Sequence, residues 1–205
     1  IGSQIFGAGA HEIATDRLMA FMGKYRDHFG NELPELDLGG GFGIAYVDGD
    51  ITVEPADVLP QIHAAVKRAC AEYDLHVPTI SLEPGRNIVG PTMFTLYEVG
   101  TVKDVVVDGG KIRKYVSVDG GMSDNARTAL YGAEYTAVIA QRASSASLAL
   151  TRLVGKHCET GDIIINEIQL PSDIAPGDLI ATPATGAYGR SMASNYNHVP
   201  RPPVV

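Results

Sequence analysis

The feature that most constrains the fold is a change of hydrophobic period near Met93. Before it, "HEIATDRLMAFMGKYRDHF" sets Leu18, Phe21, Met22, Tyr25 and Phe29 at helical spacing with charges between them, and Gly30 closes the run. "EPADVLPQIHAAVKRACAEYDL" sets Val58, Leu59, Ile62, Val66, Ala69 and Tyr73 on one face of a second helix. The short apolar runs "ELDLGGGFG" and "VPTISLEPGR" read as buried strands that end in glycines or polar groups. Strands alternating with helices predict a parallel α/β architecture, either a barrel or a doubly wound sheet. After Met93 the segments "FTLYEVGTVKDVVV", "KYVSVDGG", "AEYTAVIAQRA", "SLALTRLVGKHC" and "DIIINEIQLP" are rich in β-branched residues and alternate nearer period two. Turn sequences "DGGK", "DGGM", "ETGD" and "APGD" separate them, which predicts an antiparallel β domain. The two domains are therefore drawn at residues 1–93 and 94–205.

Composition narrows the class. A chain of 205 residues can bury a sizeable core. Its net charge of -8 argues against nucleic acid or an anionic membrane surface as the main partner. No apolar run approaches the ~20 residues of a membrane helix. Cys70 and Cys158 give no disulfide framework, so a reducing, cytoplasmic compartment is expected. The opening "IGSQIFGAG" has neither an initiator Met nor a signal peptide, and the chain is expected to be a fragment.

In α/β folds ligands gather at the carboxyl ends of strands. Three stretches fall at such ends: Ile1–Gln4 (IGSQ), Gly39–Gly43 (GGGFG) and Glu83–Arg86 (EPGR). Glycines let successive N–H groups approach an anion, Ser3 adds a hydroxyl and Arg86 adds a charge-assisted donor. Taken alone, "GGGFG" is equally a turn, and it lacks both the G-x-G-x-x-G spacing and a P-loop lysine. Pro84 and Gly85 turn the chain sharply, so Glu83 and Arg86 either face a ligand or pair with each other. In "SDNARTALYGAEY", Arg127 and Tyr131 are four apart and point the same way if the segment is helical; otherwise they are a solvated cation and a packed ring. Cys158, between His157 and Glu159, is a candidate metal ligand, nucleophile, acid or core residue. Partners at C-x-x-C or H-x-x-x-H spacing are absent, so no metal is expected. Cys70 falls on the apolar face of a helix and reads as core.

The ordered set "IGSQ", "LDLGGGFG", "EPGR", "VDGGMSDNARTALYGA", "GKHCETGD" and "TGAYGRSMASNYN" resembles the diaminopimelate decarboxylases, pyridoxal-phosphate enzymes of the alanine-racemase-like fold. The resemblance runs from Ile1 to about Val205. It implies the second half of a parallel (β/α)8 TIM-like barrel followed by an antiparallel β domain. It also implies a carboxy-lyase that converts meso-2,6-diaminopimelate to L-lysine in lysine biosynthesis, with pyridoxal 5'-phosphate as cofactor.

The implied roles follow residue by residue. Ser3, Gly40 and Gly41 hold the cofactor phosphate, helped by the backbone of Pro84, Gly85 and Arg86. Glu83 faces the pyridine nitrogen. Arg86, Arg127, Tyr131 and Glu159 bind substrate, Tyr188 contacts cofactor phosphate or substrate, and Cys158 is the catalytic acid. A homodimer with shared active sites is implied. The lysine that anchors the cofactor in this family has no counterpart among Lys24, Lys67, Lys103, Lys111, Lys114 and Lys156, so the fragment is expected to be inactive alone. Arg190 stands in "GRSMASNYN" where the family leads one to expect an apolar or aromatic residue. Alternatives are a related basic amino-acid decarboxylase of the same fold type, and a non-catalytic paralogue that regulates a partner. Arg127 and the "CE" pair favour diaminopimelate over other substrates, and the presence of Cys158 and Glu83 weighs against the paralogue.

Overall fold

The structure is a computed structural model describing residues 1–205. It divides into two compact units: residues 1–45 with 50–88, and residues 46–49 with 89–205. The four-residue excursion 46–49 therefore groups with the second unit, where the sequence reading keeps it with the first.

The α/β unit contains helix α1 (Gly9–Phe29), strand β1 (Glu35–Asp37), helix α2 (Pro55–Tyr73) and strand β2 (Thr79–Ser81). The five-residue helix α3 (Gly85–Val89) begins in the EPGR turn. Strands β1 and β2 pair in parallel, Leu36 opposite Ile80, with α2 in the connection between them. Gly30 ends α1 in a left-handed conformation at φ +74, its N–H donating to the Arg26 carbonyl. The core joins Met19 and Met22 of α1, Leu36 and Leu38 around β1, and Ile62 and Val66 of α2.

The face of α1 differs from the sequence expectation. His11, Ala14, Thr15, Met19, Met22 and Gly23 are buried, whereas Leu18 is 37% exposed, Phe21 59% and Phe29 61%. The packed side combines Met19 and Met22 with small and polar residues that admit close approach. A Cβ on Gly23 would already lie 3.3 Å from Tyr73 Cβ. In α2 the pattern reads better, since Val58, Ile62, Val66 and Ala69 are buried, but Leu59 is not.

The second unit is one six-stranded sheet of order β5-β8-β3-β4-β6-β7. The strands are β3 (Phe94–Val106), β4 (Ile112–Val118), β5 (Val138–Ile139), β6 (Leu148–Val154), β7 (Ile163–Pro171) and β8 (Leu179–Pro183). Helix α4 (Arg127–Tyr131) lies between β4 and β5 in sequence. The expectation of a purely antiparallel sheet needs correction: β4 and β6 pair in parallel, Val116 opposite Leu153. The long connection between them makes this direction available, and period-two alternation does not encode it. Val116, Leu153, Ile164 and Ile180 form the centre of the buried apolar set.

One polar knot ties the β5–β6 connection to the β7–β8 turn. Arg142 donates to both carboxylate oxygens of Asp178, at 2.9 and 2.6 Å, and to Asp173 at 3.0 Å. Asp178 also accepts from Ala175 N and from the Gln141 side chain. The Arg142 hydrogen bonds hold the Asp178 carboxyl below the usual carboxylate range. A carboxyl whose folded pKa is depressed stabilises the fold above its unfolded pKa, and that contribution is lost as pH falls through the folded value. Thermal melts of Asp178→Asn should therefore show a lower midpoint at pH 7 and a shallower further loss below about pH 4 than the parent chain. Parallel acid limbs for the two proteins would contradict this.

Candidate active site

The predicted residues divide between the two units. In the α/β unit the chain leaves β1 through Leu38 into Gly39–Gly41, with Gly39 at φ +65 and Gly41 at φ +95. Leu38 N donates to Ser81 O at 3.0 Å and Glu83 N to Gly39 O at 2.8 Å, so this glycine loop runs against the end of β2. Ile5 N donates to Gly41 O, and Gly43 N to Ile5 O, which brings the IGSQ segment alongside. The Gln4 amide locks this contact by exchanging two hydrogen bonds of 3.0 Å with the backbone of Ile44.

Side chains are excluded from the loop by geometry. A Cβ on Gly40 would fall well inside van der Waals contact with the Glu83 carbonyl oxygen, and one on Gly41 would lie 2.6 Å from Gly2 O. The N–H groups of Gly40 and Gly41 donate to no acceptor in the chain. Arg86 Nη2 donates to Ser3 Oγ at 2.7 Å. Glu83 is exposed, and Pro84 and Gly85 form the turn into α3. Unpaired N–H groups, a hydroxyl and a guanidinium around a Cβ-free loop are the donor set an anion such as a phosphate requires. His11, which the sequence reading passed over, backs the loop: its ring stacks on Phe42 at 4.6 Å and its Nε2 lies 3.3 Å from Gly40 O. Burial lowers the His11 pKa, which favours the uncharged ring.

In the sheet unit α4 carries Arg127 and Tyr131, and the helical spacing does not give them a common environment. Arg127 is 7% exposed and Tyr131 69% exposed. The Arg127 guanidinium lies over the Tyr46 ring, 4.7 Å from its centroid, and over Tyr135 at 5.5 Å. Its Nη1 also donates to the Tyr135 hydroxyl. This aromatic box supplies the cation–π attraction that a desolvated guanidinium needs. Tyr46 lies in the excursion, far from the motif, while Tyr135 closes the stretch SDNARTALYGAEY without any spacing that singles it out.

Cys158 and Glu159 are exposed on the loop between β6 and β7. The loop is held from beneath. The buried Asp162 carboxylate accepts from Met122 N and from His157 N, both at 2.6 Å. The buried His157 ring lies 2.8 Å from Ser123 Oγ through Nε2. In "DGGM" a Cβ on Gly121 would lie 2.5 Å from Asp162 Oδ1, and one on Gly120 would run into the Tyr97 ring. Tyr188 is 44% exposed at φ +61, in a loop fixed by hydrogen bonds from Thr185 N to Met93 O and from Gly186 N to Gly90 O. Arg190 is exposed, and nothing in the structure explains the choice of arginine there.

Comparison with known proteins bears on this donor set directly. Residues 1–90 match the pyridoxal binding domain of the pyridoxal-dependent decarboxylases, and residues 88–186 match the C-terminal sheet domain of the same family. The chain belongs to the pyridoxal-dependent decarboxylases. Among curated relatives, the diaminopimelate decarboxylase of Corynebacterium efficiens is 49% identical over 205 residues, all of this chain and 45% of that protein. The crystal structure of diaminopimelate decarboxylase from M. jannaschi superposes with a TM-score of 0.88 at 29% identity, covering 98% of this chain and 44% of that one. The Helicobacter pylori diaminopimelate decarboxylase complexed with L-lysine gives a TM-score of 0.81 at 31% identity, covering 98% and 46%. The chain thus spans about half the length of the decarboxylases it matches. Its fold is the alanine-racemase-like arrangement of a pyridoxal-binding domain and a sheet domain.

Proposed function

We propose that this chain is the C-terminal part of a pyridoxal-phosphate-dependent diaminopimelate decarboxylase, a carboxy-lyase that releases carbon dioxide from meso-2,6-diaminopimelate and yields L-lysine. The observation that carries the reading is the Cβ-free Gly40–Gly41 loop with two unpaired N–H donors beside Ser3 and Arg86, in a chain matched by the pyridoxal binding domain. In this reading the α/β unit is the second half of a (β/α)8 barrel, residues 1–93 hold the cofactor, and residues 94–205 contribute substrate and dimer-interface groups. In this reading none of the lysines of this chain anchors the cofactor.

The cofactor phosphate would rest on the Gly40 and Gly41 N–H groups, the Ser3 hydroxyl and Arg86; Pro84 has no N–H and the Gly85 N–H donates to Glu83 O at 2.8 Å, so neither adds a donor. Tyr188 would contact cofactor phosphate or substrate. Glu83 would face the ring nitrogen and favour its protonated form, because an adjacent carboxylate favours the charged form. Bound pyridoxal phosphate supplies the electron sink for the carbon that loses carbon dioxide. Arg86 and Arg127 take substrate carboxylates. The bond to Tyr135 occupies one of the five guanidinium N–H donors of Arg127, and its aromatic box excludes water that would compete. Tyr131 joins Arg86 and Arg127 on the carboxylates, Glu159 binds substrate, and Cys158 Sγ delivers the proton that replaces the departing carboxylate. A homodimer with shared sites and a cytoplasmic location complete the proposal. No helix is long and apolar enough to cross a membrane.

The full-length, cofactor-loaded protein offered meso-2,6-diaminopimelate, L-ornithine and L-lysine separately tests it. Lysine should appear from diaminopimelate, with kcat/KM at least about 10²-fold above that for ornithine, because the site is built to pair a second carboxylate. Equal or faster turnover of ornithine would favour the related basic amino-acid decarboxylases. Bound cofactor with no turnover of any substrate would favour the non-catalytic paralogue.

A further inference from the structure

The residues flanking Cys158 share one neighbour from the far end of the chain. Tyr196 donates its hydroxyl to Glu159 Oε1. The same ring meets the His157 imidazole edge-on, with centroids 5.3 Å apart at 75°. His157 is in turn fixed by Asp162 and Ser123, and Ser123 O accepts from Ser194 N at 2.8 Å, two residues before Tyr196. The segment 194–196 is thus stitched to the same frame that supports the thiol loop. Tyr196 straddles Cys158, with its ring on one neighbour and its hydroxyl on the other. Glu159 Oε2 accepts no hydrogen bond in the chain.

We propose that Tyr196 is a positioning residue: its hydroxyl fixes one Glu159 oxygen so that the other is aimed at an ammonium group of the substrate, while its ring anchors the His157 side of the loop that presents Cys158. The inference rests on the reading of Glu159 as a substrate-binding carboxylate. Physically, an exposed glutamate loses rotamer freedom when it binds a cation, and a hydrogen bond already holding it removes part of that cost. The pair also perturbs Tyr196, whose phenol pKa the Glu159 carboxylate pushes up, with the nearby Cys158 adding to the effect.

The test uses the full-length, cofactor-loaded protein and three variants. Tyr196→Phe keeps the ring and removes the hydroxyl. It should raise the diaminopimelate KM by about 5- to 30-fold, leave kcat near the parent value and leave the rate of Cys158 alkylation by iodoacetamide unchanged, as located by peptide mass spectrometry. Tyr196→Ala removes both contacts and should also make that alkylation about fivefold faster, through local opening of the loop. Glu159→Gln is the reference arm and should raise KM at least as much as Tyr196→Phe. If Glu159→Gln raises KM and Tyr196→Phe does not, Tyr196 is a bystander and the proposal is overturned while the function stands. If neither changes KM, Glu159 does not bind substrate, and the inference fails with the reading beneath it. Parent-like alkylation in Tyr196→Ala would remove the anchoring role of the ring.

Discussion

Replacing Cys158 by alanine in the full-length, cofactor-loaded protein should lower kcat for diaminopimelate by roughly 10²- to 10⁴-fold, the range a positioned proton donor contributes. The substitution is a clean one because the thiol is exposed and makes no packing contribution to a core. The loop beneath it is held by other groups: Asp162 on the backbone of His157 and Met122, Ser123 on the His157 ring, and Tyr196 on Glu159. None of these is removed with Sγ. The melting temperature and the diaminopimelate KM should therefore stay close to the parent values, and the loss should appear in kcat. Cys158→Ser should recover part of the rate, since a hydroxyl of similar reach can donate, though more reluctantly. Steady-state kinetics beside a thermal melt decide the matter. A kcat within a few-fold of the parent would remove Cys158 from the proton-transfer step.

Gly40→Ala should show the second large effect, in cofactor retention. The added Cβ would press into the Glu83 carbonyl oxygen, which is backbone and cannot swing aside. The hydrogen bond from Glu83 N to Gly39 O pins the two segments together at the point where they would have to part. Overpacking of this kind costs about 1–3 kcal/mol, and more where backbone meets backbone. Part of the relief would come from displacing the Gly40 and Gly41 N–H groups, the donors assigned to the phosphate. The dissociation constant for pyridoxal phosphate, followed by fluorescence, should rise by at least about tenfold, the equivalent of 1.4 kcal/mol. Gly9→Ala is the control: a Cβ there meets nothing within 4 Å, and it lies in the first turn of α1. If Gly40→Ala binds cofactor as tightly as Gly9→Ala does, the loop is not the phosphate cradle.

How much of this could be read from the chain varies with the physics involved. The existence of α1 and its end at Gly30 follow from local chemistry, since a left-handed cap needs a residue without Cβ strain. The side of α1 that packs was not legible, because His11, Thr15 and Gly23 are buried there for fit and not for hydrophobicity. Strands β3, β4, β6 and β7 follow from alternation, but the parallel pairing of β4 with β6 depends on the path of the connection. The glycine stretch at 39–41 was visible as a run, whereas the reason Gly40 tolerates no side chain lies 43 residues away at Glu83. Arg127 was legible as a residue of interest, and its aromatic box was not, because Tyr46 is 81 positions earlier. Asp162, Ser123 and Tyr196 lie within the stretches GKHCETGD, VDGGMSDNARTALYGA and TGAYGRSMASNYN, but their roles come from long-range contacts that no local pattern announces.

The small excursion at residues 46–49 has a consequence for how such chains can be exchanged in evolution. The sheet unit takes one wall of its buried arginine box from a stretch encoded well before the rest of it. A gene crossover near residue 89 between two distant relatives would join an Arg127 from one parent to a Tyr46 from the other. The two segments are thus constrained to be inherited together, and a cut at the excursion itself gives no escape, because it would part β1 from β2 and α1 from α2.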